Sequence, residues 1–305
     1  MAGSIRPATV LSPCDNERLP FRWTLNPYRG CAFACRYCYA RYTHEWLGLD
    51  PGRGFDEEVL LKEDLAETLA RDLARMRRRG RLGEAIAVGT ATDPYQPAEH
   101  RFGLTRSCLE VLAEEEGHRL SITTTSDLVL RDIDILLGIG ERNELRVNVT
   151  LTALDCSLAR RLEPGAPSPR TRLSTIAALA RGGVAVDTFV MPILPGITDG
   201  EAELDALFEA IALAGARAAH CQALFLRSPS REVFFAFLER RFPERLLEYR
   251  RLFGDNAHPP PLTVARLRAR VERLRERHGL HGGPRSPSQR LPRRRRRRSP
   301  PQAPP

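Results

Sequence analysis

Three cysteines within eight residues, Cys31, Cys35 and Cys38, constrain this chain more than any other feature. The CxxxCxxC spacing lies in residues 25–48, and Tyr37 and Tyr39 flank the last thiol. A 4Fe-4S cube is held by thiolates, usually four. Gaps this short let one loop turn three sulfurs toward a common centre, leaving the fourth iron without a ligand from the loop. An open iron can bind a small molecule, which a fully ligated electron-transfer cluster cannot. The competing arrangement is a structural zinc knuckle of Cys31, Cys35, Cys38 and His44, since zinc takes four Cys or His ligands. Zinc sites normally draw their ligands as separated pairs, and no second pair follows here. A simple electron carrier is disfavoured by the missing fourth local ligand.

The seven cysteines are odd in number and three are clustered, so they do not read as a disulfide framework. They fit a reducing, cytoplasmic setting in which thiolates stay available to metal. No apolar run approaches a membrane span, and the N-terminus lacks a charged-then-apolar leader pattern. The net charge of +9 is local. Residues 283–305 hold eight arginines and no acid, which leaves +1 for the rest, and Lys62 is the only lysine. Bulk electrostatics therefore give no argument for nucleic acid in the globular part.

From Phe21 the chain reads as repeated strand-then-helix units. Strands are expected at 22–26, 85–88, 120–124, 145–152, 184–190 and 218–225. Helices are expected at 57–79, 104–115, 132–142, 170–181 and 201–214, from apolar residues at helical spacing and stop signals such as Gly182-Gly183. Ala85-Ile86-Ala87-Val88 is a continuous apolar run, as in a parallel strand buried on both faces. Six such units imply a parallel sheet with right-handed crossovers, two short of a closed eight-unit barrel. The expected fold class is thus α/β, a partial (β/α)6 TIM-type barrel with a helical C-terminal extension. The divisions are an extended arm (1–20), the core (21–229), the extension (230–281, helical at 233–241, 243–253 and 263–278) and a tail (282–305). The tail is Pro-, Ser- and Arg-rich and is expected to be disordered. Its six consecutive arginines suit contact with nucleic acid or an acidic partner, or form a solvated tail without a specific role.

The spacing and its flanks resemble the radical SAM superfamily, and within it the spore photoproduct lyase-like branch. The resemblance rests on "LNPYRGCAFACRYCYAR", "GTATDPYQPAE", "TTTSDLVLRDIDIL", "EPGAPSPRTRLSTI" and "PILPGITD", which run from Leu25 to Asp199. It implies a 4Fe-4S cluster on Cys31, Cys35 and Cys38, with S-adenosylmethionine (SAM) on the open iron. Reductive cleavage of SAM would yield a 5′-deoxyadenosyl radical that abstracts hydrogen from a substrate, such as a nucleic-acid lesion. A reductase with flavodoxin or ferredoxin would supply the electron. Tyr37 falls where the superfamily contacts adenine. Gly89, Thr90 and Asp93 stand in place of the Gly-Gly-Glu that many members aim at the methionine ammonium. Thr124, Ser126 and Thr152 offer hydroxyls at strand ends. Glu163 and Arg172 fall near the ribose and carboxylate, and residues 192–198 near the adenine pocket. Cys156, after the fourth strand, is the candidate catalytic thiol, although no cysteine aligns with the hydrogen donor of photoproduct lyases. Cys108 and Cys221 read as packing residues, Cys14 as a spare thiol, and His44, Glu45 and Trp46 as structural or cluster-shielding. The alternative function is a nucleic-acid-binding protein with a structural zinc or iron–sulfur knuckle and no catalysis.

Overall fold

The computed structural model describes residues 3–281; the arginine-rich tail lies outside the described residues. Ten strands occur in it: β1 Gly3–Ile5, β2 Leu11–Pro13, β3 Trp23–Leu25, β4 Tyr28–Arg29, β5 Leu60–Lys62, β6 Ala85–Val88, β7 Arg119–Thr124, β8 Glu144–Thr150, β9 Val186–Ile193 and β10 Ala219–Ala223. Seven form one sheet in the order β10-β9-β8-β7-β6-β3-β2. The six from β3 to β10 are parallel, while β2 pairs antiparallel with β3 at the edge. The sheet is open between β2 and β10, which makes the fold a partial (β/α)6 barrel.

The barrel forms because one face of each strand is apolar. Ile86, Ile122, Val147, Val149, Val186 and Val190 share a continuous core with Leu69, Leu109, Leu136, Ile176 and Phe208 of the surrounding helices. β6 is buried at all four positions, as its apolar run requires. Helices occupy Leu65–Arg78, Leu104–Ala113, Ile133–Arg142, Pro169–Arg181 and Glu201–Leu213, and Ser230–Arg241, Pro243–Phe253 and Pro261–His278 follow. Among the short helices that were not anticipated are Tyr42–Glu45, Pro97–Phe102 and Cys156–Leu162.

The segment read as one helix over 57–79 divides into three. A short helix Arg53–Glu57 precedes β5, and the long helix begins only at Leu65. β5 pairs parallel with β1 and antiparallel with β4, and Asp64 at φ 51° turns the chain between strand and helix. Pairing with distant strands outweighs local helical periodicity here. The N-terminal segment is held by one buried carboxylate. Asp72 Oδ2 accepts from Thr9 Oγ1 at 2.7 Å, Val10 N at 2.8 Å and Leu11 N at 3.1 Å.

β5 also buries Lys62, whose ammonium is desolvated and faces the Arg29 charge, and its pKa falls from 10.5 to about 8. The folded state therefore binds this proton less tightly than the unfolded chain, so stability rises as pH climbs from about 8 toward 10.5. Lys62→Met is expected to raise the unfolding free energy at pH 7 by about 2–3 kcal/mol and to flatten that alkaline slope. Anaerobic urea titrations at pH 7 and pH 9.5 test this; lower stability of the variant at pH 7 would refute it.

Candidate active site

The cysteine loop leaves β4 through Gly30, whose φ is +77°. A Cβ there would lie 2.9 Å from the Phe55 carbonyl and 3.0 Å from that of Glu58. The loop's backbone is pinned at nearly every step. Cys31 N donates to Phe55 O at 3.0 Å, Cys38 N to Cys35 O at 3.2 Å, and Arg36 N to Leu162 O at 2.9 Å. Ser230 Oγ, opening the first helix of the extension, donates to Cys38 O at 2.6 Å.

All three thiols are free. Burial pushes each thiol pKa up, and the ionised form of Cys35 is further opposed by Glu163, Cys38 and Cys31. Backbone N–H groups of Phe33 and Asp93 favour the Cys31 thiolate, and those of Ala40, with the Arg41 charge, favour that of Cys38. One buried and two half-buried thiols on a rigid loop, whose ionised forms oppose one another, suit a strongly cationic group. A 4Fe-4S cube fits them because each sulfur takes a separate iron. Among the described residues no set of three or more His, Cys, Asp or Glu side chains is arranged to hold a single metal ion. His44 does not join the thiols in a four-donor knuckle. Its Nε2 lies 3.0 Å from Glu58 O and its ring packs edge-on to Phe55.

Two loops from the barrel meet the cysteine loop. The first follows β6, where Gly89 at φ +84° admits no side chain, since a Cβ would stand 2.5 Å from Thr123 O. Gln96, fully buried, accepts from Ala32 N at 3.0 Å and donates to Gly30 O at 3.0 Å and Thr92 Oγ1 at 2.8 Å. Asn26 accepts from Ala91 N at 2.7 Å and donates to Thr90 Oγ1 at 3.1 Å. The Tyr39 hydroxyl donates to Thr90 O. Asp93 accepts from Thr124 Oγ1 at 2.7 Å, Thr125 N at 2.6 Å and Tyr95 N at 2.9 Å, thereby locking the β6 and β7 ends together. Ser126 caps the turn beyond β7 through Leu128 N at 3.2 Å. Thr124, Ser126 and Asp93 thus brace the rim.

The second loop follows β8. Glu163 accepts from the Tyr37 hydroxyl and from Thr152 Oγ1 at 2.8 Å, and forms an ion pair with Arg172. Both charged side chains are 1% exposed. Arg172 also donates to Pro167 O at 2.9 Å and Thr150 O at 3.3 Å. Gly165 packs flat on the cysteine loop, where its N donates to Phe33 O at 3.1 Å and a Cβ would collide with Ala32 O. Four residues singled out in the sequence, Tyr37, Thr152, Glu163 and Arg172, are thereby one buried network beside Cys35. Cys156 stands apart from the thiol cluster, exposed at the start of the short helix Cys156–Leu162. With Glu163 and Arg172 it lines a small cleft of ≈ 70 Å³. Beyond β9, Thr198 Oγ1 accepts from Leu194 N at 2.8 Å and Tyr249 donates to Pro195 O at 2.8 Å, which fixes residues 192–198 against the extension.

Sequence reasoning missed Asn26, Gln96, Arg41 and Phe225. Asn26, Gln96 and Arg41 lie inside the quoted motifs, where a polar side chain beside proline or tyrosine was the available signal. Arg41 is entirely buried and donates to Cys35 O at 3.1 Å, Gly52 O at 2.6 Å and Asp56 at 2.9 and 3.1 Å. Its charge faces the Cys38 sulfur. Net charge near an iron–sulfur cluster sets its potential. Arg41→Gln is therefore expected to lower the cluster potential, read as roughly threefold less reduced cluster at a fixed half-reducing poise. Redox titration followed by electron paramagnetic resonance checks it, and an unchanged potential counts against the assignment.

Comparison with known proteins decides the family. The family profile described as "Radical SAM superfamily" matches residues 25–208. The chain belongs to the radical SAM superfamily. It is a radical SAM enzyme whose cofactors are a 4Fe-4S cluster and SAM. "Uncharacterized protein Rv2578c" of Mycobacterium tuberculosis is 40% identical over 264 residues, which span 87% of this chain and 76% of that protein. "Uncharacterized protein MJ0683" of Methanocaldococcus jannaschii is 30% identical over 190 residues, 62% of this chain and 67% of that protein. Among solved structures, a spore photoproduct lyase mutant with bound AdoMet and dinucleoside spore photoproduct superposes with a TM-score of 0.68. That match has 18% identity and covers 91% of this chain and 78% of the other; it supports the fold. Among the described residues no helix is long and apolar enough to cross a membrane.

Proposed function

We propose that Tyr37, Thr152, Glu163 and Arg172 form the SAM pocket of this radical SAM enzyme, and that its substrate is a base in nucleic acid. The observation that carries the first part is the buried Tyr37–Glu163–Arg172 network, which touches the cysteine loop at Cys35. When bound, the cluster and SAM supply a one-electron cleavage that produces a carbon radical, which is the cofactors' own chemistry. The protein's share is position. Glu163 is held by three partners and Arg172 by Glu163, Pro167 O and Thr150 O, so SAM binding exchanges some of these bonds, ribose hydroxyls going to the carboxylate and the methionine carboxylate to the guanidinium. Gly89 and Thr90 line the approach of the methionine end, and Gln96 and Asp93 keep that loop against the thiols.

Support for a planar substrate comes from the mouth. Tyr39, 43% exposed, packs 5.6 Å from Phe225, which stacks at 5.6 Å on exposed His258. Leu226 N donates to Ala257 O at 2.7 Å and Arg231 bonds Gly254 O and Asn256 O, clamping the loop that carries His258. Aromatic faces at an open rim stack bases without regard to sequence. The fold likeness to a lyase with a bound dinucleoside supports the same reading. A flavodoxin or ferredoxin with its reductase supplies the electron, and the arginine tail holds the nucleic acid backbone.

The test is anaerobic reconstitution followed by SAM, dithionite and either ultraviolet-irradiated or untreated DNA. The expected result is about four irons per chain, 5′-deoxyadenosine in both reactions, and more of it with irradiated DNA. Zinc in place of iron, with no nucleoside, would instead support the non-catalytic nucleic-acid-binding alternative. Nucleoside formation indifferent to any DNA would remove the substrate assignment alone.

A further inference from the structure

The helix-facing side of the sheet is apolar, but its concave side carries charge. Strand alternation sends Val147, Val149, Val186 and Val190 into the helical core and places Arg146, Asn148, Asp187, Phe189 and His220 on the opposite face. There Asp187, 1% exposed, takes an arginine and a histidine side chain on the same oxygen. Arg146 Nη1 is 2.8 Å and His220 Nε2 3.0 Å from Oδ2. Asn148 stands beside them, its Nδ2 donating to Ser121 Oγ at 2.8 Å and Ile122 O at 3.3 Å, and the His220 ring meets Phe189 edge-on at 5.5 Å.

This constellation is not part of the SAM pocket. Asn148 pairs with Asp187 across β8 and β9, four residues before Thr152, or about 13 Å along the strand. It therefore lines the depth of the open barrel below the proposed radical source. Arg146 and His220 remain 30% and 39% exposed on this wall. Among the described residues no protein acceptor bonds the other guanidinium nitrogens of Arg146 or Nδ1 of His220. One buried carboxylate thus fixes both side chains in place, leaving Arg146 with free N–H capacity and His220 with an unpaired Nδ1.

We propose that Arg146 and His220, positioned by Asp187, form an oxyanion subsite on the inner wall that takes a phosphate group of the substrate. Arginine suits this because its planar fork can bond two oxygens after one nitrogen is committed. Phe189 gives the same wall an apolar face for the moiety attached to the phosphate. The subsite rests on the reading of the barrel interior as the substrate cleft, but its binding is measured without turnover.

The experiment uses anaerobic, cluster-loaded protein labelled at histidine with 15N and 13C, with the His220 resonance assigned from the His220→Gln variant. Thymidine 5′-monophosphate, inorganic phosphate and thymidine are the probes. The expected result is a saturable His220 shift with the monophosphate and none with thymidine. A comparable shift with inorganic phosphate assigns the subsite to phosphate itself, and a tighter one with the ester assigns it to the esterified group. Arg146→Gln should weaken binding about tenfold. A merely structural ion pair predicts no saturable shift, and equal affinity in Arg146→Gln would likewise overturn the proposal. 5′-Deoxyadenosine formation, assayed on the same samples, reports separately on the cofactor reading.

Discussion

Cys35→Ala is expected to yield protein that folds, binds far less iron than the wild type and forms no detectable 5′-deoxyadenosine, a loss of at least about a thousandfold in nucleoside yield. The reason lies in where Cys35 sits. It is the middle thiol of the loop, its carbonyl is held by the buried Arg41 guanidinium, and its sulfur faces Glu163 and Arg172. Loss of this sulfur leaves two thiols for a cube that has only three on the loop. Folding should survive because the loop backbone is fixed by Gln96, Arg41 and Ser230 rather than by the sulfur. Cys221→Ala, on β10, is the matched control and should keep its iron. Iron and sulfide analysis with circular dichroism checks the pair. Retained nucleoside formation in Cys35→Ala would remove the cluster from Cys31, Cys35 and Cys38.

Much of this architecture is legible in the chain because each strand of the parallel sheet carries its own apolar pattern. Ala85–Val88 is buried on every side, and its four small apolar residues could hardly read otherwise. The thiols stood out by their spacing, and Glu163 and Arg172 entered as candidates through the family resemblance; the structure brings the last two together as an ion pair. What stayed hidden depends on contacts between distant segments. β5 exists because Leu60–Lys62 finds β1 and β4, and nothing local distinguishes it from the first turn of a helix. Asp93 was read as a group for the methionine ammonium, and the bonds of its carboxylate to the β7 end were not visible, because composition cannot show which way a strand-end acid turns. Phe225 and His258 are thirty-three residues apart and meet only because Arg231 and Leu226 fold the extension back over the mouth. The inner-wall group is the same kind of case, since Arg146, Asp187 and His220 come from three successive strands.

The second large effect belongs to the buried ion pair. Arg172→Met leaves Glu163 buried beside Tyr37 and Cys35 with no cation, and breaking such a pair on one side costs roughly 3–5 kcal/mol. Arg172→Lys should recover only part of this, because a single ammonium cannot bond Glu163, Pro167 O and Thr150 O from one position. The double variant Glu163→Gln/Arg172→Met removes both charges and should regain most of the lost stability, since replacing a buried pair by neutral groups is often nearly cost-free. Function should not return with it. SAM binding by equilibrium dialysis is expected to fall at least about tenfold in both single variants and in the double, if each side chain bonds the cofactor directly. Urea midpoints and SAM affinity measured on the same four proteins thus move apart: stability recovers in the double variant while affinity stays low. Recovery of both together would mean that the pair only holds the β8 loop against the cysteines, and the SAM pocket would have to lie elsewhere on the rim.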